Sequence, residues 1–194
     1  MKREKPEIAR ENFLLTDGVI TLRPPEVADA AAIVTAVQES VAEISPWMDW
    51  CSPEYTVLVA EKWLATLPAQ WETDVQYALV ITDRTDGRIL GGTGLNHIHP
   101  VHHLANLGYW VRTSATGRGI ATRATRLVAQ FGVEQLKLLR AEIVVAADNF
   151  PSLRVAEKSG TQREGILRNP LTVRAQVLDA AMYSLTPQDF GLSV

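Results

Sequence analysis

The chain has 194 residues, of which 46% are hydrophobic and 21% are charged, and its formal net charge at pH 7 is −3. This composition is typical of a globular protein with one sizeable core, so we expect a single domain over residues 1–194. The acidic balance argues against general nucleic-acid binding, which favours strongly basic domains. Residues 1–13 lack the apolar core of a signal peptide, and no apolar run is long enough to span a bilayer. We therefore expect no membrane association.

The hydrophobic periodicity predicts alternating strands and helices. Strands are expected at Val19–Arg23, Val75–Thr82, Ile89–Asn96, a segment starting at Leu107, Arg140–Ala147, Thr161–Arg168 and Val173–Leu185. Helices are expected at Ala30–Gln38 with Asp29 as N-cap, Pro53–Trp71, Ile120–Phe131, and from an Asp148 or Asn149 cap to Lys158, with Gly160 ending the last one. The first strands form an antiparallel meander. The helix from Ile120 is then a crossover that makes the Arg140 strand parallel to the Leu107 strand.

A short Thr/Ser/Gly segment joins the Leu107 strand to this helix. Gly117 and Gly119 allow the backbone to turn tightly and to approach a ligand closely, and a helix start offers free N–H donors and a positive dipole end. No Asp or Glu occurs between Gly87 and Val133, a window that contains five arginines: Arg88, Arg112, Arg118, Arg123 and Arg126. The pattern predicts a phosphate site. The alternative is an ordinary turn with solvated arginines.

Three further features allow more than one interpretation. The Ser45–Trp50 segment holds two tryptophans that either pack in the core or wall a substrate pocket. Cys51 is the single cysteine, so no internal disulfide can form and a reducing cytoplasm is favoured. We expect it to be a packed thiol and not a nucleophile. Four histidines surround Pro100 and suggest a solvated hairpin tip, a metal site, or a catalytic base: His97, His99, His102 and His103.

A Rossmann dinucleotide domain fits poorly, because the third glycine is missing and a meander precedes the loop. The order of strand, Gly-x-Gly loop, helix, strand and Asn-led helix instead resembles the GNAT superfamily of acyl-CoA N-acyltransferases, in particular its RimJ/RimL-like branch, which includes protein N-terminal acetyltransferases. The motifs that carry the resemblance are Leu22-Arg23-Pro24 with Asp29, Gly108-Tyr109-Trp110, Gly117 to Thr122, Asn149 to Gly160, and Glu164 to Arg168. The implied fold is α/β, with a mixed, mostly antiparallel sheet of about seven strands, flanking helices and a splayed parallel central strand pair.

The resemblance also implies acetyl-CoA as co-substrate, without a metal, and assigns residues to it. Backbone N–H groups of Thr116, Gly117, Arg118, Gly119, Ile120 and Ala121, with the Thr122 hydroxyl, would hold the pyrophosphate. The Val111 and Arg112 backbones and the Asn149 side chain would bind pantetheine. Arg154 and Lys158 would face the adenosine phosphates or are simply solvated. Ser152 would face the sulfur. Apart from the resemblance, we expect Trp47, Trp50 and Tyr109 to contact the acceptor.

Two departures from the family pattern affect the chemistry. Many relatives place a glutamate base where this chain has Asn106, and many superfamily members place a tyrosine acid where it has Ala156. Ser152 is therefore the candidate acid for the leaving thiolate. An amide cannot act as a base, and an N-terminal α-amine loses its proton more easily than a lysine amine. We therefore expect an enzyme that acetylates an N-terminal α-amine and that is located in the cytoplasm. The alternatives are a small-molecule amine as acceptor, or a catalytically weak CoA-binding regulatory module. Whether the chain forms a homodimer is left open.

Overall fold

The computed structural model describes residues 8–193. Its eight strands are β1 Leu15–Thr16, β2 Ile20–Arg23, β3 Gln76–Asp83, β4 Ile89–His99, β5 Leu104–Val111, β6 Arg140–Ala146, β7 Gln162–Val173 and β8 Gln176–Leu185. Its α-helices are α1 Ala30–Gln38, α2 Val41–Ile44, α3 Val57–Glu72, α4 Ile120–Glu134 and α5 Phe150–Lys158. Within these residues no helix has both the length and the apolar character needed to cross a membrane.

All eight strands form one sheet in the order β1-β2-β3-β4-β5-β6-β8-β7. Each neighbouring pair is antiparallel except β5 and β6, which are parallel. The reason is the α4 crossover, which returns the chain to the same end of the sheet before β6 begins. The predicted mixed sheet with one central parallel pair is therefore confirmed.

Each face of the sheet carries its own hydrophobic core. On one face α4 packs through Val128 and Phe131 against Leu95, Leu107 and Ile143 of the central strands. On the other face α1 and α3 cover β3 and β4, with Ile33, Leu64 and Val80 among the buried residues. The buried thiol of Cys51 belongs to this second core, and burial raises its pKa. Because successive strand residues alternate between faces, one strand supplies both cores.

The start of α1 differs from the prediction in detail. Asp29 stands at the N-cap position but makes no side-chain capping bond to α1. Its carboxylate instead takes two hydrogen bonds of 2.7 Å from the Arg23 guanidinium and one of 2.8 Å from the Glu26 N–H. Asp29 thus ties the end of β2 to the start of the helix, since a bidentate arginine pair is stronger than a single cap bond.

The C-terminal hairpin also differs from the prediction. Val173, expected to begin the last strand, ends β7 instead, and the turn falls at Arg174 and Ala175, which both have positive φ, at 48° and 64°. No glycine marks this turn, so the sequence gives no signal for it. The Arg174 N–H donates to the Asp49 carboxylate at 2.7 Å, and its guanidinium donates to the Cys51 carbonyl at 2.9 Å. The hairpin tip therefore holds the segment that contains the tryptophans.

Candidate active site

The candidate site is a cleft where β5 and β6 separate. The two strands pair over three residues only, from Leu104 to Asn106 of β5. Past that point a cavity of about 610 Å³ opens in the sheet. Tyr109 and Ser152 line it on the α4 and α5 side, and Asn106 and Trp110 line it on the α1 and α3 side. Two reactants approaching from opposite faces can therefore meet between the strands.

Ser152 occupies the first turn of α5, beside this gap. Its N–H donates to the Asn149 side-chain oxygen at 3.2 Å, which makes Asn149 the N-cap of α5. The Tyr109 hydroxyl lies 3.0 Å from both the hydroxyl and the carbonyl oxygen of Ser152. Burial raises the pKa of Tyr109 to about 12, although its bond to Ser152 acts in the opposite direction. Tyr109 therefore remains protonated near neutral pH and connects β5 to α5.

The glycine loop runs from the end of β5 to the start of α4. Gly117 and Gly119 both have φ of 74°, a conformation that strongly favours glycine, and a Cβ at either position would meet no atom within 4 Å. The first bond of the α4 ladder is from the Arg123 N–H to the Gly119 carbonyl, at 3.1 Å. The N–H groups from Gly119 to Thr122 therefore precede the ladder, and the space beside the two glycines is open, which suits a phosphate group.

Two residues expected to bind the coenzyme are engaged elsewhere. The Thr116 N–H donates to the Thr113 carbonyl at 3.1 Å, closing a 3₁₀ turn, so it is not free for a phosphate. The Arg112 N–H donates to the Leu90 carbonyl at 2.8 Å, and its own carbonyl accepts from Ala115 at 2.9 Å. The backbone N–H groups of both residues are therefore already used within the protein.

Val111 keeps the position expected for a pantetheine partner. Successive N–H groups in a strand point to opposite edges, and the Arg112 N–H points to β4. The Val111 N–H therefore points away from β4, toward the gap beside β6.

The buried Arg112 guanidinium and the exposed Glu39 carboxylate form an ion pair behind the loop. The Arg112 side chain is only 8% exposed and pairs with the Glu39 carboxylate, to which its Nε donates at 3.0 Å. The same carboxylate accepts the Ser114 N–H at 2.7 Å, and the Ser40 hydroxyl accepts the Thr113 N–H at 3.0 Å. The hydrogen bonds from Arg112 and Ser114 lower the pKa of Glu39 to about 2. The end of α1 thus fixes the chain that leads into the glycine loop.

The predicted basic field around the loop is partly neutralised. Arg118 lies 3.4 Å from the Asp83 carboxylate, and Arg123 lies 2.6 Å from that of Asp17. Both acids lie outside the acid-free window and reach the loop through the pairing of β2 with β3. Arg154 and Lys158 are exposed on α5 and form no ion pair among residues 8–193, so both remain available to an anion.

Asn106 lies at the point where the two strands part. Its side-chain amide donates to the Asn96 side-chain oxygen at 2.9 Å. None of the side chains that line the cleft is charged, and none is a histidine. Among residues 8–193, the cleft lining therefore contains no carboxylate or imidazole that could act as a base. Glu142 lies directly opposite Asn106 on β6, but its carboxylate is paired with Arg140 at 2.7 Å.

The histidines lie outside the cleft. His97 has a φ of 50° within a stretch of β4 where the pairing with β5 is irregular. The rings of His99 and His102 lie 4.4 Å apart at the exposed hairpin tip, and the His102 N–H donates to Nδ1 of His99. In residues 8–193 no three His, Cys, Asp or Glu side chains come together in a metal-binding group.

The tryptophan segment lines the α1 and α3 side of the cleft. Trp47 and Trp50 both border it, and the Trp50 ring makes edge contacts of 5.7 Å with the rings of Tyr55 and Trp110. Trp63 of α3 is 39% exposed and also borders the cleft. Of the interpretations that the sequence allows, the structure supports the pocket wall.

Sequence reasoning missed two polar residues of this wall, Gln76 and Asn96. They lie directly opposite each other on β3 and β4, and Asn96 lies opposite Asn106 on β5. Amides at strand ends carry no motif. Only the register of three strands brings these side chains together.

A family model described as an acetyltransferase (GNAT) domain matches residues 20–162, more than half of the chain. The chain belongs to the GNAT acetyltransferase family. A Bacillus subtilis protein named "Probable N-acetyltransferase YjcK" is 31% identical over 179 residues, covering 91% of this chain and 99% of the relative. This GNAT protein is therefore an N-acetyltransferase, as its sequence motifs implied.

Two more similarities point to the same branch of the GNAT family. The ribosomal-protein-serine acetyltransferase of Escherichia coli is 27% identical over 108 residues, covering 56% of this chain and 60% of the relative. RimJ of Mycobacterium smegmatis, solved in complex with CoA-disulfide, superposes with a TM-score of 0.82 at 29% identity, covering 91% of this chain and 86% of that one. The resemblance to RimJ/RimL-like proteins is confirmed.

Proposed function

We propose that this enzyme transfers an acetyl group from acetyl-CoA to the α-amine of a peptide or protein N-terminus. The observation that carries the proposal is the uncharged cleft, which offers no carboxylate or imidazole to deprotonate a strongly basic amine. An α-amine needs less help, because a substantial fraction of it is neutral near pH 7. The name of the Escherichia coli relative, a ribosomal-protein-serine acetyltransferase, supports a protein acceptor.

Acetyl-CoA would lie on the α4 and α5 side of the sheet. The N–H groups from Gly117 to Ala121 and the Thr122 hydroxyl would hold its pyrophosphate, and each hydrogen bond to a charged phosphate contributes about 1.5–3 kcal/mol. Val111 would pair with the pantetheine arm. The Asn149 amide nitrogen, which the cap bond leaves unused, would bond to a pantetheine carbonyl.

The exposed cations of α5, Arg154 and Lys158, would neutralise phosphates on the adenosine. A co-substrate of this kind and a single packed cysteine fit a cytoplasmic enzyme.

Bound acetyl-CoA supplies a thioester, which is already activated toward amines. The protein then has to align the neutral amine with the thioester carbonyl and to exclude water. When the C–N bond forms and the C–S bond breaks, the sulfur leaves as a thiolate and takes a proton. The Ser152 hydroxyl would donate that proton, and Tyr109 would orient the hydroxyl as a positioning residue. Water at the mouth of the cleft would accept the proton released by the amine and would return a proton to Ser152.

The test compares two forms of one peptide that contains a single lysine, with either its N-terminus or the lysine blocked. Release of free thiol from acetyl-CoA gives kcat/KM for each form. We expect the form with a free N-terminus to react faster. Faster reaction of the lysine form would contradict the proposal and would require a base outside the described cleft. Tight acetyl-CoA binding without turnover on any amine would point to a CoA-binding module.

A further inference from the structure

The α1 and α3 face of the sheet carries a groove that runs across the strands and ends at the β5–β6 gap. Its floor is one row of small residues, Ala78, Gly94 and Gly108, which lie directly opposite one another on β3, β4 and β5. A Cβ at Gly108 would meet no atom within 4 Å, so the floor is open above this position. Directly opposite residues on neighbouring strands share a face, so these three form a continuous strip.

One wall of the groove is aromatic. Val80, Gly92 and Trp110 form the adjacent row. A Cβ at Gly92 would lie 2.6 Å from Nε1 of Trp110, so the indole lies across this glycine. The Trp50 ring, 42% exposed, contacts Trp110 from above. Large aromatic surface left in contact with solvent beside a reaction site is suited to an apolar part of the substrate.

The other wall is a row of three carboxamides, Gln76, Asn96 and Asn106. The Asn106 amide donates to the Asn96 oxygen, and Gln76 donates to Gln70. This leaves the Asn96 nitrogen as a donor and the Asn106 oxygen as an acceptor, with no hydrogen-bond partner for either among residues 8–193. A donor and an acceptor side by side match the C=O and N–H groups of an extended peptide.

The length of the groove sets the size of its occupant. Neighbouring strands lie about 4.8 Å apart, so the floor spans about 10 Å from β3 to β5, which equals about three residues of extended chain at about 3.3 Å each. Both walls lack any charged side chain. A charged group in this groove would lose its hydration without gaining an ion partner.

We infer that this groove binds the first residues of an extended peptide whose side chains are uncharged. The reacting amine lies at the β5–β6 gap, the carboxamide row bonds to the peptide backbone, and the tryptophans take an apolar side chain. This inference rests on the proposed function, since it names the acceptor class for the same reaction. Gln76 and Asn96 become specificity-determining residues.

The test uses three lysine-free peptides with a free N-terminal serine that differ only at the second residue, which is Phe, Arg or Glu. We expect kcat/KM for the Phe peptide to exceed that for the other two by at least about tenfold, because only the charged side chains lose hydration unpaired. Phenylalanine amide serves as a small acceptor without further backbone. Faster reaction of this amide than of the Phe peptide would overturn the peptide assignment.

Charge variants locate the selectivity in the groove. Asn96→Asp places a carboxylate in the row and should shift the Arg-to-Phe ratio of kcat/KM at least about tenfold toward Arg. Gln188→Glu, at an exposed position outside the cleft, adds the same charge and should leave the ratio unchanged. Should Asn96→Asp fail to fold by circular dichroism, Gln76→Glu provides the same test in the same row.

The outcomes separate this inference from the proposed function. Equal kcat/KM for the three peptides, or an unchanged ratio in a folded row variant, would overturn the neutral groove while leaving α-amine acetylation intact. No turnover with any peptide, although calorimetry detects acetyl-CoA binding, would overturn the proposed function and the groove with it.

Discussion

The Tyr109 hydroxyl lies 3.0 Å from the hydroxyl of Ser152 and 3.0 Å from its carbonyl oxygen, so a residue of β5 fixes the first turn of α5. The alanine at position 156, where many superfamily members have a tyrosine, is fully buried and has no polar group. Ser152 and Tyr109 each bring a hydroxyl to the gap. Their contact lets Tyr109 hold the Ser152 hydroxyl in one orientation.

We predict that Ser152→Ala lowers kcat about 100-fold while the KM for acetyl-CoA changes little, since a general acid acts only late in the reaction. Tyr109→Phe should lower kcat by a smaller factor. In the Ser152→Ala background the Tyr109→Phe change should have almost no effect, because it acts through the serine. Additive effects would contradict the positioning role. Tyr183→Phe, a matched change at a buried tyrosine bonded to Glu157, controls for packing.

Gly119→Glu should abolish acetyl-CoA binding measured by calorimetry while circular dichroism stays unchanged. The new carboxylate would fill the space above the α4 N-terminus and repel a phosphate. Gly191→Glu is the matched control, because Gly191 has nearly the same φ, 71°, and open space around it, but lies near the C-terminus. Retained micromolar binding by Gly119→Glu would remove the loop from the coenzyme site.

Local signals explain which parts of the fold could be predicted. The strand, glycine loop and helix from Leu107 onward each carry a pattern within a few residues, and the helix crossover then requires β6 to be parallel to β5. The Asn149 cap is equally local, because Asn149 precedes its helix directly. These elements form where the sequence places them, although β5 begins three residues earlier, at Leu104, and α4 ends three residues later, at Glu134.

The missed features depend on register between distant strands. Arg112 and Thr116 flank the loop in sequence, but the strand end and a 3₁₀ turn already use their N–H groups. The arginines of the loop gain Asp17 and Asp83 as partners only when β2 pairs with β3. The carboxamide wall likewise needs β3, β4 and β5 aligned. No single stretch of sequence contains that information.

Glu39→Gln should lower the free energy of unfolding at neutral pH by about 1–3 kcal/mol, because the buried Arg112 guanidinium would lose its charged partner. The pKa of Glu39 is depressed in the folded state to about 2, so its contribution is complete above the usual value near 4.5 and is lost as pH falls from about 4.5 to about 2. The stability difference between wild type and variant should therefore be constant above pH 5 and shrink toward pH 2.

Denaturant unfolding across this pH range measures that difference. The hydrogen bond from Arg140 likewise lowers the pKa of Glu164 to about 2, so Glu164 titrates over the same pH range. Its contribution is the same in wild type and variant and therefore drops out of the difference. Glu61→Gln, at an exposed glutamate on α3 without an ion pair among residues 8–193, is the control and should show a small, pH-independent difference. If the difference in unfolding free energy between wild type and Glu39→Gln does not change with pH, the negative charge of Glu39 does not contribute to its interaction with Arg112.

The last prediction concerns the acceptor and follows from Asn106. A lysine amine has a pKa near 10.4 and an α-amine a pKa of about 7.7–8.0, so forming the neutral nucleophile at pH 7 costs about 4.6 kcal/mol for lysine and about 1–1.4 kcal/mol for an N-terminus. Water can accept the proton of an N-terminal α-amine, whereas a lysine amine requires a base. For the wild-type enzyme, kcat/KM on a peptide N-terminus should therefore rise with pH and level off through the α-amine range.

Asn106→Glu introduces a carboxylate where the two strands part, beside Asn96. It should raise kcat/KM for a peptide whose lysine is the free amine more than for one whose N-terminus is free, because only the lysine has a large deprotonation cost to offset. Asn106→Gln keeps the longer side chain without the charge and should not change the ratio of the two rates. An equal gain for both peptides in Asn106→Glu would mean that amine deprotonation does not limit the wild-type enzyme, and that the neutral cleft selects its acceptor by binding alone.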